Sequence, residues 1–142
     1  LTTVLVVGMA VVDFLFEVDT MPRAAEKYRA HDASMVGGGG AANAACAVAR
    51  LGGHAQLAAR VGDDLMGNII VDDLKHHNVD CSSVMITKGA RSSYSSVLID
   101  NSGERQIVNF RGCGLSDDTG GIESARPAAV LTDTRWTSGA VA

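Results

Sequence analysis

The residues best suited to chemistry form one short run. Residues 36–53 read VGGGGAANAACAVARLGG, so glycines at 37–40 lead into an alanine-rich segment with Asn43 as its one amide. Glycine lets main-chain N–H groups and a helix start come right against a ligand. Asn43 adds one acceptor and two donors, a set that suits the hydroxyls of a polyol better than a fully charged phosphate. A structural alternative stands beside this one: the glycines serve tight packing of chain on chain, and Asn43 caps the helix. Two other loops are excluded. Gly37-x-Gly39-x-x-Ala42 fits G-x-G-x-x-G/A formally, but that fingerprint belongs in the first strand-to-helix turn, with an acidic residue placed for a ribose. Here the first buried-type strand ends near Gly8, roughly thirty residues earlier, and no acidic residue is so placed. A Walker A loop needs Lys-Ser or Lys-Thr after its glycines, and neither follows.

Other chemistry-bearing residues read more simply. Cys46, Cys81 and Cys113 are odd in number and far apart, without metal-ligand spacing, and read as free thiols of a reducing cytoplasm. His31, His54, His76 and His77 make no H-x-x-x-H pair, and adjacent helix positions point apart. Asp63-Asp64 and Asp72-Asp73 read as a helix cap and a polar helix face. The serines of RSSYSS read as strand residues, and DDTGG (117–121) as an ordinary turn.

The elements that must position the glycine run follow from hydrophobic pattern. Apolar residues make up 46% of the 142, enough for a real core, and the net charge of −4 argues against nucleic acid or an anionic membrane as partner. No apolar run approaches the roughly 18–20 residues that span a bilayer. LTTVLVVG lacks a basic n-region and a cleavage site, so it reads as a strand and not as a signal peptide. Residues 3–8 are a β-branched run of the kind buried on both faces of a parallel sheet. Residues 11–19 give a second strand, 41–51 a helix stopped by Gly52 and Gly53, 55–62 a strand, and 63–79 a helix capped by Asp63 or Asp64. SSYSSVLID and RQIVNF flank NSGE as a β-hairpin, and 128–133 is a further parallel-type strand. The order predicts an α/β core with a small antiparallel appendage.

GGGAANAACAVARLG (38–52) followed by RVGDDLMGN (60–68), behind VVGMAVVD, resembles the signature of the ribokinase-type (PfkB) carbohydrate kinases. EKYRAH (26–31), GERQIVNF (103–110) and LTDTRW (131–136) are similar to the sulfofructose kinase group of that family. The resemblance implies a parallel sheet with flanking helices and a small β-lid, built from about 14–35 and 92–111, that pairs between subunits in a homodimer. It implies that Asp13, Gly38, Gly39 and Asn43 hold sugar hydroxyls. It places Lys27, Asn109 and Arg135 at the far end of the substrate, suited to a sulfonate or phosphate. It also implies phosphoryl transfer from ATP with Mg2+ to a sugar hydroxyl by a cytoplasmic enzyme. The family's catalytic aspartate lies in a D-T-x-G-A-G-D motif that does not occur here, so the expectation for residues 1–142 is the N-terminal part of a sugar kinase domain. No catalytic, nucleotide or metal residue is then expected in it. Two alternatives accompany this reading: a truncated homologue that binds sugar or pairs lids without catalysis, and a nucleoside kinase of the same superfamily. Half of such a sheet leaves an edge and an apolar face without partners, so self-association or a need for further polypeptide is expected.

Overall fold

A computed structural model describes residues 2–142. Strand β1 (Thr3–Val7) is the centre of a three-stranded parallel sheet in the order β4-β1-β9, with β4 at His54–Ala58 and β9 at Ala129–Thr132. Its side chains alternate between two layers. Val6 joins the core formed by helices α1 (Gly40–Arg50) and α2 (Leu65–His76), while Leu5 and Val7 pack with Ala58 and Trp136 on the other face. A strand covered on both faces has to be apolar at every position, which is why its sequence shows no alternation. Helix α1 buries Ala41, Ala42 and Ala45. Their small side chains let it lie close on the sheet.

The run at 55–62 does not stay one strand. β1 ends at Val7, opposite Ala58, and the chain beyond leaves that sheet: β5 (Arg60–Gly62) pairs instead with β6 (Met85–Thr87). A second sheet has the order β3-β2-β7-β8, formed by Val11–Val18 (β2), Asp32–Gly38 (β3), Tyr94–Asp100 (β7) and Arg105–Phe110 (β8). Its outer pairs are antiparallel, but the central pair β2–β7 is parallel, so the expected antiparallel appendage is a mixed sheet. Each outer pair is a local connection, whereas β2 and β7 are joined through the whole α1–β4–α2 crossover and run in one direction. The β7–β8 turn closes on Asp100, whose Oδ1 accepts from Ser102 N, Ser102 Oγ and Glu104 N. DDTGG is more than a turn: Gly120–Glu123 form a one-turn helix, α3, with Asp118 Oδ1 accepting from Gly120 N at 3.0 Å. After β9 the chain ends in a short helix, α4 (Thr137–Val141). Among the described residues no helix is long and apolar enough to cross a membrane.

Asp64 ties α2 to the second sheet. It is the N-cap of α2, accepting from Gly67 N at 2.9 Å, and it also accepts from Ser92 N at 2.9 Å and Ser92 Oγ at 2.6 Å. Ser92, fully buried, in turn accepts from Gly62 N at 2.8 Å. Burial pushes the Asp64 carboxyl up, but the bonds from Ser92 and Gly67 outweigh it and leave the carboxyl below its ordinary range. A depressed carboxylate stabilises the fold above its unfolded pKa and loses that contribution as pH falls through the folded value. In Asp64→Asn one oxygen still accepts, but the amide NH2 faces the Ser92 N–H, so a cost of about 1–3 kcal/mol is expected at pH 7, with the difference from wild type shrinking below about pH 4. Urea melts of both proteins at pH 7 and under acid conditions check the magnitude and the sign.

Candidate functional site

One face of the second sheet carries the polar residues. Asp13 of β2, Ser95 of β7, and Asn109 with Arg111 at the end of β8 line a cavity of about 370 Å³ together with Gly39 and Arg135. Period-two alternation puts them there: positions 11 and 13, 95 and 97, and 107, 109 and 111 point the same way. Ser95 stands directly opposite Asn109 in the ladder. Asn109 Nδ2 donates to Ser95 Oγ at 3.0 Å and to Tyr94 O at 3.3 Å, so its carbonyl oxygen is its remaining hydrogen-bonding capacity. Among the described residues none donates to the Asp13 carboxylate. A carboxylate, a hydroxyl, an amide and two guanidinium groups around one hollow can bind a molecule bearing both hydroxyls and negative charge.

The seven residues singled out from sequence divide in this structure. Asp13, Gly39, Asn109 and Arg135 share the 370 Å³ cavity. Gly38 and Asn43 line a different hollow of about 680 Å³ between β3, α1 and α2. Val11 lines both, and Gly38 makes room for the Asp13 carboxylate, since a β-carbon on Gly38 would collide with Asp13 Oδ2. Asn43 does not cap α1, which has no side-chain bond from its own N-cap residue. Lys27 is exposed in the segment between β2 and β3 and lines neither hollow. The larger hollow holds Cys46, whose thiol is pushed up by burial and by Asp73.

The missing cap of α1 comes from 92 residues away. Asp133, just after β9, accepts from Ala41 N at 2.9 Å and from Met9 N at 3.0 Å with one carboxylate oxygen, and from Arg135 N at 2.9 Å with the other. A negative charge at a helix N-terminus is favourable, and the main-chain donors there need partners. Ala42 N is also taken, by Met9 O at 3.3 Å. First-turn amides of α1 are thus spent within the protein, and the glycines' role at this corner is close packing: Gly39, at φ 98°, lies against the Met9 carbonyl where a β-carbon would not fit. The Asp133–Arg135 bond spans Thr134, a β-branched residue held at φ 62°. Such a conformation persists only where its surroundings impose it, and here it aims Arg135 at the cavity. Sequence reasoning missed Asp133, Ser95 and Arg111. Strand alternation could have found Ser95 and Arg111, whereas only an acidic residue at the end of a buried-type strand hinted at Asp133.

Asp133→Ala leaves three N–H groups without an acceptor, and a loss of about 2–4 kcal/mol is expected. Asp133→Asn, which keeps an acceptor, is expected to lose less. Chemical denaturation of the two variants against wild type measures both.

Residues 1–119 match the family model described as pfkB family carbohydrate kinase. The chain is 38% identical over 74 residues to fructokinase-2 of Zea mays, covering 52% of this chain and 22% of that protein. It is 30% identical over 112 residues to ribokinase of Mus musculus, covering 79% and 35% respectively. A solved structure from Agrobacterium tumefaciens, provisionally called a ribokinase, superposes with a TM-score of 0.80 at 38% identity, over 95% of this chain and 45% of that one. Ribokinase from Cryptococcus neoformans var. grubii serotype A, solved in complex with ADP, superposes at 0.77 and 26% identity, over 92% and 42%. The chain spans about a third or less of the length of these curated relatives and under half of the solved chains. With the family model matching most of its residues and the solved folds superposing over nearly all of them, this chain belongs to the PfkB family of carbohydrate kinases and has the ribokinase-like α/β fold.

Proposed function

We propose that residues 1–142 form the sugar-binding part of a cytoplasmic kinase that transfers the γ-phosphoryl group of ATP to a hydroxyl of a ketose-like sugar. The observation that carries this is the convergence of Asp13, Ser95, Asn109, Arg111 and Arg135 on one cavity in a chain of this family. Asp13 is the acceptor for sugar hydroxyls. Asn109 and the arginines take a far end that is anionic, as in sulfofructose or another sugar bearing a sulfonate or phosphate, because guanidinium groups hold such oxyanions by charge-assisted bonds. The fungal ribokinase solved with ADP supports ATP as the donor.

The first turn of α1 does not offer its amides to a nucleotide phosphate, because Ala41 N and Ala42 N are occupied by Asp133 and Met9. The catalytic base and nucleotide site belong, in this reading, to polypeptide outside these residues. The unpartnered surfaces support that view. All of β9 is exposed, with Val130 at 57% and Leu131 at 44%. The four-stranded sheet acts as the lid over the sugar. Its exposed apolar residues, Val108 at 66% and Met35 at 50% among them, suit pairing with a second copy.

Two measurements test the reading. Calorimetric titration with fructose-type, sulfosugar and nucleoside ligands is expected to show sugar binding that Asp13→Ala weakens at least tenfold. Arg135→Ala is expected to remove the preference for the anionic sugar while sparing the neutral one. Equal binding by Asp13→Ala and wild type would refute the assignment. Light scattering is expected to find the chain self-associated, and Val108→Glu is expected to reduce that association. A monodisperse monomer with a cooperative melt contradicts both the lid pairing and the need for further polypeptide.

A further inference from the structure

The hollow of about 680 Å³ between β3, α1 and α2 is larger than the sugar cavity, and the sugar reading leaves most of it unused. Its size falls within the few hundred to about 1,000 Å³ of pockets that take a whole small molecule. Gly38 and Asn43 stand at its glycine end, where the family resemblance places sugar hydroxyls. The rest lies between two helix faces. Helical spacing puts Cys46 and Arg50 of α1 along one wall, and Ile70, Asp73, Leu74 and His77 of α2 along the other. Ile70 and Leu74 are each 2% exposed and form an apolar floor. Leu51 and Met35 also line the hollow, at 89% and 50% exposed, so uncovered apolar surface leads in from solvent.

Arg50 and Asp73, the two permanent charges of this lining, are not paired with each other. Among the described residues no hydrogen bond or ion pair engages the Arg50 guanidinium. The Asp73 carboxylate lies against β3 at Gly37, where a β-carbon would collide with its Oδ2. It accepts no hydrogen bond among the described residues. His77 Nδ1 is 3.6 Å from its Oδ1, but that nitrogen donates to the Asp73 main-chain oxygen at 2.9 Å. Both charges are nonetheless felt in one place: burial pushes the Cys46 thiol up, Asp73 adds to that, and Arg50 opposes it. A ligand bearing only an ammonium group is repelled by Arg50, and one bearing only a carboxylate is repelled by Asp73. A ligand with both groups meets an opposite charge at each, and an apolar body on it covers Ile70, Leu74 and Leu51.

We infer that this hollow is a binding site for a small zwitterion with an apolar side chain, of the α-amino acid type. The ligand's carboxylate pairs with Arg50, its ammonium group pairs with Asp73, and its side chain packs on Ile70 and Leu74. Neither Arg50 nor Asp73 lines the sugar cavity, so the site does not depend on the sugar reading.

Calorimetric titration of the complete chain with L-leucine, L-methionine and L-phenylalanine is expected to show saturable binding of at least one of them. The decarboxylated and deaminated analogues of that amino acid, which keep the side chain and lose one charge each, are expected to bind at least tenfold more weakly. Arg50→Gln and Asp73→Asn are each expected to weaken the amino acid at least tenfold. Ala47→Phe, which fills the hollow, is expected to abolish binding, and Arg126→Gln to leave it unchanged. Arg50 and Ala47 are exposed, and thermal melts confirm that the variants fold; the analogue comparison needs no variant. Saturable binding by none of the three amino acids, equal binding by a single-charge analogue, or unchanged affinity in both charge variants overturns the proposal. So does competitive displacement of the amino acid by fructose, which assigns the hollow to the sugar. Absence of fructose binding at either place counts against the sugar reading alone.

Discussion

A single carboxylate joins the parts of this molecule that the site requires. Asp133 receives Met9 N from the end of β1, Ala41 N from the start of α1 and Arg135 N from its own loop. These groups belong to segments that are distant in sequence, and each would otherwise be a main-chain donor short of a partner in a crowded corner. The arrangement explains the composition around it. The helix can begin on glycine and alanine, without a capping side chain of its own, because the cap arrives from another element. The corner must be narrow for one carboxylate to reach both Met9 and Ala41, and glycine is what permits that closeness. The same carboxylate holds the left-handed turn at Thr134 and so directs Arg135.

The second sheet solves a different problem. Its face toward the core must be apolar, and the other carries the polar residues of the candidate site. β2 shows how one strand does both: Val12 joins the main core, while Asp13 points to the cavity. The paired residues Ser95 and Asn109 lock each other by a cross-strand bond, which fixes the orientation of the amide at the cavity. The Asp64–Ser92 network anchors the base of this sheet to α2, so the ligand-facing strands are held to the α/β core.

Charge is distributed unevenly across the molecule. Its net charge is −4, yet the sugar cavity and a smaller hollow beside it gather Arg60, Arg111 and Arg135. Asp13 shares the lining of the larger of these two spaces with Arg111 and Arg135.

The elements were largely legible in the amino-acid order, because apolar period and end signals are local properties. The unbroken apolar run of β1, the small-residue face of α1, the Asp64 cap and the β7–β8 hairpin all show in residues close along the chain. Asp13, Gly39, Asn109 and Arg135 were within reach through the family resemblance, and strand alternation carried the information for Ser95 and Arg111. Tertiary structure alone decided which of these share a hollow. It set Asn43 in the larger hollow, with Gly38 between that hollow and the Asp13 carboxylate, and kept Lys27 away from both cavities. It split 55–62 between two sheets, and it brought Asp133 to a helix 92 residues distant. The physical reason is that each of these outcomes depends on the crossover connections and on one strained turn. Those fix the positions of segments relative to each other, and no local pattern of hydrophobicity records them.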